Sequence, residues 1–318
     1  MAIIDQEITE DYAIYNGDSM EVLPNIDNDS IDFSIYSPPF SDLYNYSSSE
    51  RDLSNCKSYD DFLKHYEFII KEISRITKPG RLTAVHCMDV PLKGGCGFKD
   101  LPGDIIQLHI ENGFYWTGRR VIWKEPLRMA IRTRAKGLMH RQIVNDSSLC
   151  DVAGADYLLT FRKQGENAEP IEHHSGLVNY AGEDQPPLEL IQKYSNWKEP
   201  KTNKLSHFIW QRYASSAWYD IRINNVLSYK KARETDEEKH VCPLQLDVIE
   251  RCIALWSNPG DVVLTPFMGV GSEVYGALIN DRKGVGIELK PSYFRQAEEN
   301  IKKALNPIKQ SNIFELSE

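Results

Sequence analysis

The stretch Val262–Glu288, VVLTPFMGVGSEVYGALINDRKGVGIE, decides the fold. Its apolar start, VVLT, predicts a buried strand that leads through Gly269 and Gly271 into a tight turn, and the turn opens a helix over EVYGALINDR. A second apolar run, KGVGIEL, carries Glu288 near its end. Glycines let the backbone approach a bound ligand, and an acid in this position can hold both ribose hydroxyls. The order predicts a nucleotide-type binding turn; a purely structural strand-to-helix turn is the alternative.

The turn also lacks several features that phosphate-bearing ligands require. The sequence around Gly269 contains no GxGxxG, no GKS or GKT, and no lysine next to the glycines. Dinucleotide and triphosphate sites depend on those features, because their phosphate chains need backbone N–H groups and a nearby cation. A nucleoside without a phosphate chain therefore fits this turn better than NAD or ATP.

Both ends of the chain alternate strand-like and helix-like segments. The stretch before the glycine turn, CPLQLDVIERCIALWSNPG, predicts a helix with a Pro-Gly stop, and KPSYFRQAEENIKKAL predicts a closing helix. Near the start, YAIYNG and IDFSIY predict strands, a helix capped near Ser58 carries apolar residues up to position 76, and RLTAVHCMDV predicts another buried strand. This alternation predicts an α/β fold with a mostly parallel sheet and helices on both faces.

A second unusual feature ends the strand IDFSIY. The four residues that follow it are Ser37, Pro38, Pro39 and Phe40. Two adjacent prolines offer no backbone N–H, so they stop a strand and fix the direction of their carbonyl groups. Chain termination alone would explain the prolines, but not why a hydroxyl and an aromatic ring flank them.

Composition and charge narrow the class of protein. The chain has 318 residues, a net charge of −9 and six cysteines without a CxxC pair, which favours reduced thiols over a disulfide framework or a zinc site. No apolar run reaches the ~18 residues of a membrane span, and no signal-peptide pattern is present, so we expect an intracellular protein without a membrane partner. Against the negative average, Thr117–Arg141 carries eight Lys and Arg residues and one acid, Glu125. This pattern fits either a grip on a polyanion or a solvated basic helix.

Taken together, SPPF at a strand end and PFMGVG near the C-terminus resemble the amino-methylating DNA methyltransferases that use S-adenosyl-L-methionine. The order of the motifs resembles the beta group of that family, and the whole chain looks most like phage and prophage members. The resemblance implies a Rossmann-like methyltransferase fold with a permuted motif order. It also implies a catalytic and cofactor-binding domain over 1–118 and 236–318, and an inserted target-recognition region over 119–235.

The resemblance implies roles for individual residues. Ser37 Oγ and the Pro38 carbonyl would accept hydrogen bonds from the target amine, Pro39 would stiffen the corner, and Phe40 would stack on a base flipped out of the duplex. The residues implied in cofactor binding are Asp18, Pro243, Thr265, Pro266, Phe267, Gly269, Gly271, Ser272 and Glu288. Family members usually carry Asp where this chain has Thr265, a hydroxyl that cannot pair an ammonium group by charge.

The inserted region would bind double-stranded DNA. The implied contacts are Arg119, Arg120, Arg128, Arg132, Arg134, Lys136, His140 and Arg141, because arginine suits both phosphates and guanine edges. No metal site is expected. His86 and Cys87 are interpreted as core residues, and Cys242 as a small core residue, because C5-cytosine methylation would need Pro-Cys where the chain has Cys-Pro. A homodimer, a cognate restriction endonuclease and the cytoplasm of a bacterial or phage-infected cell are further expectations.

The choice of target base stays open at this point. Serine in the first position of SPPF is common in cytosine-N4 members, which favours cytosine-N4, and adenine-N6 is the alternative. A DNA-binding protein that keeps an inactive methyltransferase fold is a more distant alternative, since Thr265 departs from the family pattern. An RNA or small-molecule methyltransferase is a third, disfavoured by the basic segment.

Overall fold

The computed structural model describes residues 3–39, 52–92, 97–133, 136–150, 154–232 and 243–305. The strands in these ranges are β1 (Ile3–Ile8), β2 (Tyr12–Gly17), β3 (Ile31–Tyr36), β4 (Thr77–Met88), β5 (Val90–Pro91), β6 (Phe98–Lys99), β7 (Phe114–Ile122), β8 (Asp156–Lys163), β9 (Ala217–Trp218), β10 (Val262–Thr265) and β11 (Lys283–Glu288). The helices are α1 (Ser19–Val22), α2 (Tyr59–Ile76), α3 (Leu101–Glu111), α4 (Pro126–Thr133), α5 (His140–Asn145), α6 (Leu188–Tyr194), α7 (Lys204–Tyr213), α8 (Leu246–Trp256), α9 (Ser272–Ile279) and α10 (Pro291–Leu305).

Within the described residues, nine strands form one sheet in the order β1-β2-β11-β10-β3-β4-β8-β7-β9. The five strands from β2 to β4 run parallel, and β8 and β7 continue the sheet in antiparallel pairing. The connection through α9 leads from β10 to β11, which is the neighbour of β10 on the side away from β3. The connection through α2 leads from β3 to β4, which is the neighbour of β3 on the side away from β10. The crevice between β10 and β3 is therefore the switch point at which parallel α/β sheets bind ligands. The predicted α/β fold is confirmed.

Both faces of the sheet are buried, as the alternation along β3 shows. Phe33 and Ile35 pack in one apolar cluster with α8, whereas Tyr36 packs in another with α2 and α3. Neighbouring strands divide their side chains in the same way, with Leu158 of β8 in the first cluster and Leu159 in the second. A strand that is covered on both sides has to be apolar at nearly every position, which is why IDFSIY reads as a continuous run.

The helix α2 begins and packs as its sequence predicts. Ser58 caps it by accepting a hydrogen bond from the Asp61 N–H at 3.1 Å. The apolar positions at helical spacing are buried: Phe62, Tyr66, Ile69, Ile73 and Ile76. The helix ends at Ile76, before the predicted Pro79-Gly80 stop, because β4 starts directly at Thr77 and a register shift opposite β3 accommodates the Pro-Gly pair.

A buried ion-pair network lies at the amino ends of the central strands. The Arg81 side chain is 1% exposed and contacts Asp261 at 3.0 Å and Asp32 at 3.2 Å, while Lys78 contacts Asp32 at 2.7 Å. Oxygens of Asp32, Asp261 and Glu169 converge closely enough to suggest a cation site. Because two cationic side chains already lie among these carboxylates, we interpret the cluster as a brace between β3, β4 and β10.

The sheet extends beyond the predicted domain boundary at residue 119. That boundary falls inside β7, and β8 lies within the range 119–235 although it pairs with β4 from Leu82 to Met88. The sequence signal was weak here, because β7 carries threonine, arginines and exposed aromatics on an antiparallel strand. The segments that connect and follow these two strands keep the predicted recognition role as a hypothesis.

Two further expectations concern cysteines and membranes. The four cysteines that the structure describes, Cys56, Cys87, Cys150 and Cys252, are free thiols, and Cys242 lies outside the described residues. Burial raises the pKa of the Cys252 thiol well above its usual range, which makes that side chain inert. Across the described helices, none has the length and apolarity needed to cross a bilayer.

Candidate active site

The glycine turn and the diproline corner lie side by side at the carboxyl edge of the sheet. Strands β10 and β3 are parallel neighbours, so Thr265 and Tyr36 end at the same edge. At this edge, the ring of Tyr36 and the ring of Phe267, two residues after Thr265, lie 5.8 Å apart between centroids. The Tyr36 hydroxyl is in turn 3.1 Å from that of Tyr66 on α2. Two motifs from opposite ends of the chain therefore share one crevice.

The turn after β10 has the backbone geometry that only glycine adopts readily. Gly269 has φ +55° and Gly271 has φ +88°, both in the left-handed region. A methyl group built on Gly269 would meet no described residue within 4 Å, so this position borders open space in the described part of the chain. One on Gly271 would lie 3.1 Å from the Ala297 side chain, because α9 and α10 pack closely there. One glycine therefore leaves room for a ligand, and the other permits helix packing.

Glu288 holds this turn from the end of β11. Its Oε2 accepts a hydrogen bond from the Gly269 N–H at 2.7 Å, and its Oε1 accepts one from the Lys290 N–H at 2.8 Å. The Glu288 backbone is itself fixed, because the Asn16 amide of β2 donates to the Glu288 carbonyl at 2.8 Å. Glu288 therefore lies beside the glycine turn, and its role in cofactor binding stays a prediction.

Asp18 and Ser19 bring the end of β2 to the same edge. The Asp18 carboxylate caps α1 by accepting a hydrogen bond from the Met20 N–H at 2.9 Å. The adjacent Ser19 hydroxyl donates to the Pro266 carbonyl, which ties α1 to the turn. Asp18 is thus brought close to the glycine turn, whereas Pro243 lies half-buried at the approach to α8.

Two buried hydroxyls beside the turn lack partners in the described part of the chain. Thr265 is 1% exposed and Ser272 is 2% exposed, and neither Thr265 Oγ1 nor Ser272 Oγ has a hydrogen-bond partner among the described residues. A buried hydroxyl without a partner costs about 1–3 kcal/mol. Such atoms at the mouth of an open turn are what a bound polar ligand would satisfy.

Two carboxyl groups at the turn have raised pKa values. Burial raises the pKa of Glu288 to about 7, against the two backbone hydrogen bonds that lower it. Glu273, the second residue of α9, is buried, and this raises its pKa to about 8, with the charge of Glu288 adding to the shift. The sequence analysis did not single out Glu273. Its only signal was an acid in the first turn of a helix that is otherwise apolar.

Ser37 leads directly into a polar chain inside the sheet. Its Oγ lies 3.2 Å from His86 Nδ1, and His86 Nε2 lies 2.9 Å from Asp156 Oδ2. Lys124 Nζ contacts the same Asp156 oxygen at 2.7 Å. The interpretation of His86 as a core residue was incomplete, because the ring is buried yet faces Ser37. Pro38 is buried and Pro39 half-buried, while Phe40 lies outside the described residues.

The comparison with known families decides the class of this protein. The N6/N4 DNA methylase family matches residues 31–299, which include the diproline corner and the glycine turn. The chain belongs to the N6/N4 DNA methylase family. The resemblance seen in the sequence is confirmed; a phage-like origin stays a prediction.

The relatives of this family member share modest identity, and the solved structures among them share its fold. The type II methyltransferase M.BglII of Bacillus subtilis is 25% identical over 283 residues, a match covering 88% of this chain and 66% of M.BglII, just under two thirds of that protein. The structure of TTHA0409 from Thermus thermophilus in complex with S-adenosyl-L-methionine is 21% identical, with a TM-score of 0.60 and coverage of 91% and 94% of the two chains. The cytosine-N4-specific PvuII DNA methyltransferase is 15% identical, with a TM-score of 0.58 and 96% coverage of both.

The predicted DNA contacts differ in how exposed they are. Arg119 on β7, Arg128 on α4, and His140 and Arg141 on α5 are exposed. Arg120 instead is half-buried, with its guanidinium 5.0 Å from the Trp256 ring and 5.7 Å from the Trp218 ring. Because neighbouring residues of a strand point to opposite faces, Arg120 packs under the sheet and is unsuited to contact phosphate. The structure does not describe the side chains of Arg132, Arg134 and Lys136.

Proposed function

We propose that this protein transfers a methyl group from S-adenosyl-L-methionine to the exocyclic N4 of cytosine in double-stranded DNA. The observation that carries the proposal is the contact between Tyr36 and Phe267, which joins the SPPF corner to the glycine turn in one crevice. A fixed carbonyl and hydroxyl beside a nucleoside-sized binding turn match the needs of amine methylation.

The residues around the turn fit the cofactor. Glu288 would accept hydrogen bonds from the ribose hydroxyls, since carboxylate oxygens keep lone pairs beyond the two backbone contacts. Thr265 and Ser272 offer buried hydroxyls that lack partners among the described residues, and Gly269 leaves open space at the turn. Asp18 and Phe267 would border the adenine side. Bound there, the cofactor supplies an electrophilic methyl group on a sulfonium.

The diproline corner would prepare the target amine. An exocyclic amine is a weak nucleophile because its lone pair is delocalised into the ring. Ser37 Oγ and the Pro38 carbonyl accept its two N–H groups, which draws the nitrogen toward tetrahedral geometry and aligns the lone pair. Proline fixes φ, so the carbonyl is held before the base arrives. The base must leave the duplex to reach this corner, and Phe40 would stack on it.

Support for cytosine-N4 comes from the serine of SPPF and from the PvuII enzyme. That enzyme is cytosine-N4-specific and has the same fold over nearly its whole length. Adenine-N6 is the alternative, because the two amines differ little in chemistry. The exposed Arg119, Arg128 and Arg141 would contact DNA phosphates. Homodimerisation, pairing with a restriction endonuclease and action in the bacterial cytoplasm stay predictions.

One experiment tests the activity and the target base together. The purified protein is incubated with S-adenosyl-L-methionine and mixed-sequence double-stranded DNA, and the digested nucleosides are separated by mass. N4-methyldeoxycytidine is the expected product, and N6-methyldeoxyadenosine would select the alternative. Ser37→Ala is expected to lower turnover at least about 100-fold while cofactor affinity changes little. If calorimetry detects no cofactor binding and DNA still binds, the protein is an inactive member of the fold.

A further inference from the structure

Four side chains form a continuous polar chain that ends at the candidate catalytic serine. Ser37 follows β3, His86 lies on β4, Asp156 begins β8, and Lys124 follows β7. The contacts are 3.2 Å from Ser37 Oγ to His86 Nδ1, 2.9 Å from His86 Nε2 to Asp156 Oδ2, and 2.7 Å from Lys124 Nζ to the same oxygen. His86, Asp156 and Lys124 are each at most 7% exposed. Buried polar groups in this number need a reason beyond packing.

The contacts set the direction of every proton in the chain. Although burial alone would raise the pKa of Asp156, the nearby Lys124 and His86 hold it well below its usual range. The Asp156 carboxylate is therefore ionised and can only accept hydrogen bonds. The ring nitrogen facing it, His86 Nε2, carries the hydrogen, so in the neutral ring Nδ1 offers a lone pair to the Ser37 hydroxyl. Once Ser37 donates to His86, its oxygen keeps its lone pairs for the target amine.

We propose that His86 is a positioning residue and proton acceptor for amine methylation that acts through Ser37. The proposal rests on the function proposed above. The amine nitrogen forms its bond to the methyl carbon as the C–S bond breaks and leaves its electron pair on sulfur. The nitrogen, now cationic, gives one proton to Ser37 Oγ, while the Ser37 proton moves to His86 Nδ1. Asp156 stabilises the imidazolium, which returns the proton to solvent.

The same order of serine, histidine and aspartate occurs in hydrolases, but the corner excludes that use here. A serine nucleophile needs an oxyanion hole, which commonly includes the backbone N–H of the residue after the serine. That residue is Pro38, which has no N–H, and Pro39 follows it. The two prolines present carbonyl acceptors and no N–H donor, which suits an amine that has protons to give up. Ser37 therefore relays a proton and forms no covalent bond.

Lys124 has a separate part in the relay. It neutralises Asp156 without contacting Ser37 in the described structure, so it fixes the carboxylate and sets the orientation of the ring. Among the contacts that the structure describes, Ser37 and Asp156 face His86 from the packed strands, and Lys124 lies behind Asp156.

The kinetic test uses single-turnover methylation of DNA as a function of pH. His86→Gln keeps a contact toward Asp156 and His86→Asn keeps one toward Ser37, but neither accepts the proton. Both variants are expected to transfer the methyl group about 100-fold more slowly than wild type, with a rate that no longer rises with pH. Their cofactor affinity should stay within about threefold of wild type. In the Ser37→Ala background, His86→Gln should cost little more, because the relay is already broken.

A buried histidine outside the chain serves as the matched control. His109 on α3 stacks on Phe161 at 3.9 Å between ring centroids, and its Nδ1 donates a hydrogen bond to the Ile105 carbonyl. His109→Gln is expected to lower the melting temperature without lowering the rate of the folded fraction. If His86→Gln and His109→Gln both affect only melting, or if the losses at Ser37 and His86 simply add, the relay is refuted.

A readout independent of activity completes the test. Nitrogen-15 NMR of labelled histidine is expected to show His86 in the folded protein with hydrogen on Nε2 and none on Nδ1, and Asp156→Asn is expected to disturb that state. Hydrogen on Nδ1 in the neutral ring would overturn the proposal. If the wild-type protein methylates no DNA, the proposed function fails, while the NMR result still decides whether His86 is poised to take a proton from Ser37.

Discussion

The ring centroids of Tyr36 and Phe267 lie 5.8 Å apart. Tyr36 precedes the diproline corner near the start of the chain, whereas Phe267 precedes the glycine turn near its end. The contact is possible because β3 and β10 are parallel neighbours. Under the proposed function, it places acceptors for the target amine beside the turn that would hold the cofactor. The candidate active site thus lies at the switch point of the sheet.

The two glycines of the turn are expected to respond differently to alanine. Both have positive φ, so each substitution costs about 1–2 kcal/mol of stability. Gly269→Ala places a methyl group in open space and should lower cofactor affinity tenfold or more. Gly271→Ala meets Ala297 and should cost clearly more stability. Calorimetric titration and urea unfolding of both variants check this, and equal effects in both assays would contradict the assignment of open space to ligand.

Glu288→Gln is expected to loosen the turn and weaken cofactor binding. The carboxylate accepts two backbone N–H bonds, and an amide can replace only one of them, because its nitrogen is a donor. We expect cofactor affinity to fall about tenfold or more, in line with the worth of a charged hydrogen bond. The control is Glu299→Gln on the exposed side of α10. Unchanged affinity in Glu288→Gln would remove this residue from the site.

The buried carboxyl of Glu273 should make stability depend on pH. Burial raises its pKa from 4.5 to about 8, so the folded state binds the proton more tightly than the unfolded state. The free energy of unfolding should therefore fall as pH rises from about 5 to about 8, and Glu288 adds to the same trend. Glu273→Gln should remove its share and be more stable than wild type at pH 9 by on the order of a few kcal/mol.

Urea unfolding at pH 5.5 and pH 9 measures this effect. The exposed Glu189 on α6 supplies the control, since Glu189→Gln should leave the difference between the two pH values unchanged. A pH dependence in Glu273→Gln equal to that of wild type would show that this carboxyl is not the source.

The salt dependence of DNA binding should separate exposed from buried arginines. Arg128→Ala and Arg141→Ala should each weaken binding and reduce the slope of log affinity against log salt by about 1. Arg120→Ala is the matched control, because its guanidinium packs between Trp218 and Trp256. It should lower stability and leave the slope unchanged. If the slope became shallower in the Arg120 variant and stayed unchanged in the Arg128 and Arg141 variants, the assignment of the DNA-facing side would be reversed.

The parts of the fold that the sequence predicted are those with a repeating physical cause. Strands buried on both faces have unbroken apolar runs, and α2 has apolar residues at helical spacing. The secondary structure at both ends of the chain could therefore be predicted from the sequence. The strand β7 was not, since a half-exposed antiparallel strand with Arg119 and Arg120 resembles a basic loop. Its partner β8 was placed in the insertion although Leu158, Leu159 and Phe161 form a buried apolar run there.

The site shows a similar division. The turn and the corner are each contiguous in sequence, so local pattern singled out Gly269 and the SPPF corner, and the family resemblance supplied the role predicted for Ser37. The relay of His86, Asp156 and Lys124 draws on three separate strands or their ends, and no spacing in the sequence links them. Arg120 was assigned to DNA by charge, and only the strand's alternation shows which side it faces. Contacts of this kind depend on register, which composition does not contain.

The order of strands in the sheet bears on how the chain matures on the ribosome. β10 and β11 lie between β2 and β3, yet they are synthesised after every other strand. Until they emerge, β2 and β3 have no neighbours along those edges, and the nascent chain holds two unjoined halves. Catalytic competence should therefore arise in one late step, when the final strands insert into the middle, and a translation stall before residue 262 would release a product that chaperones or proteases must handle.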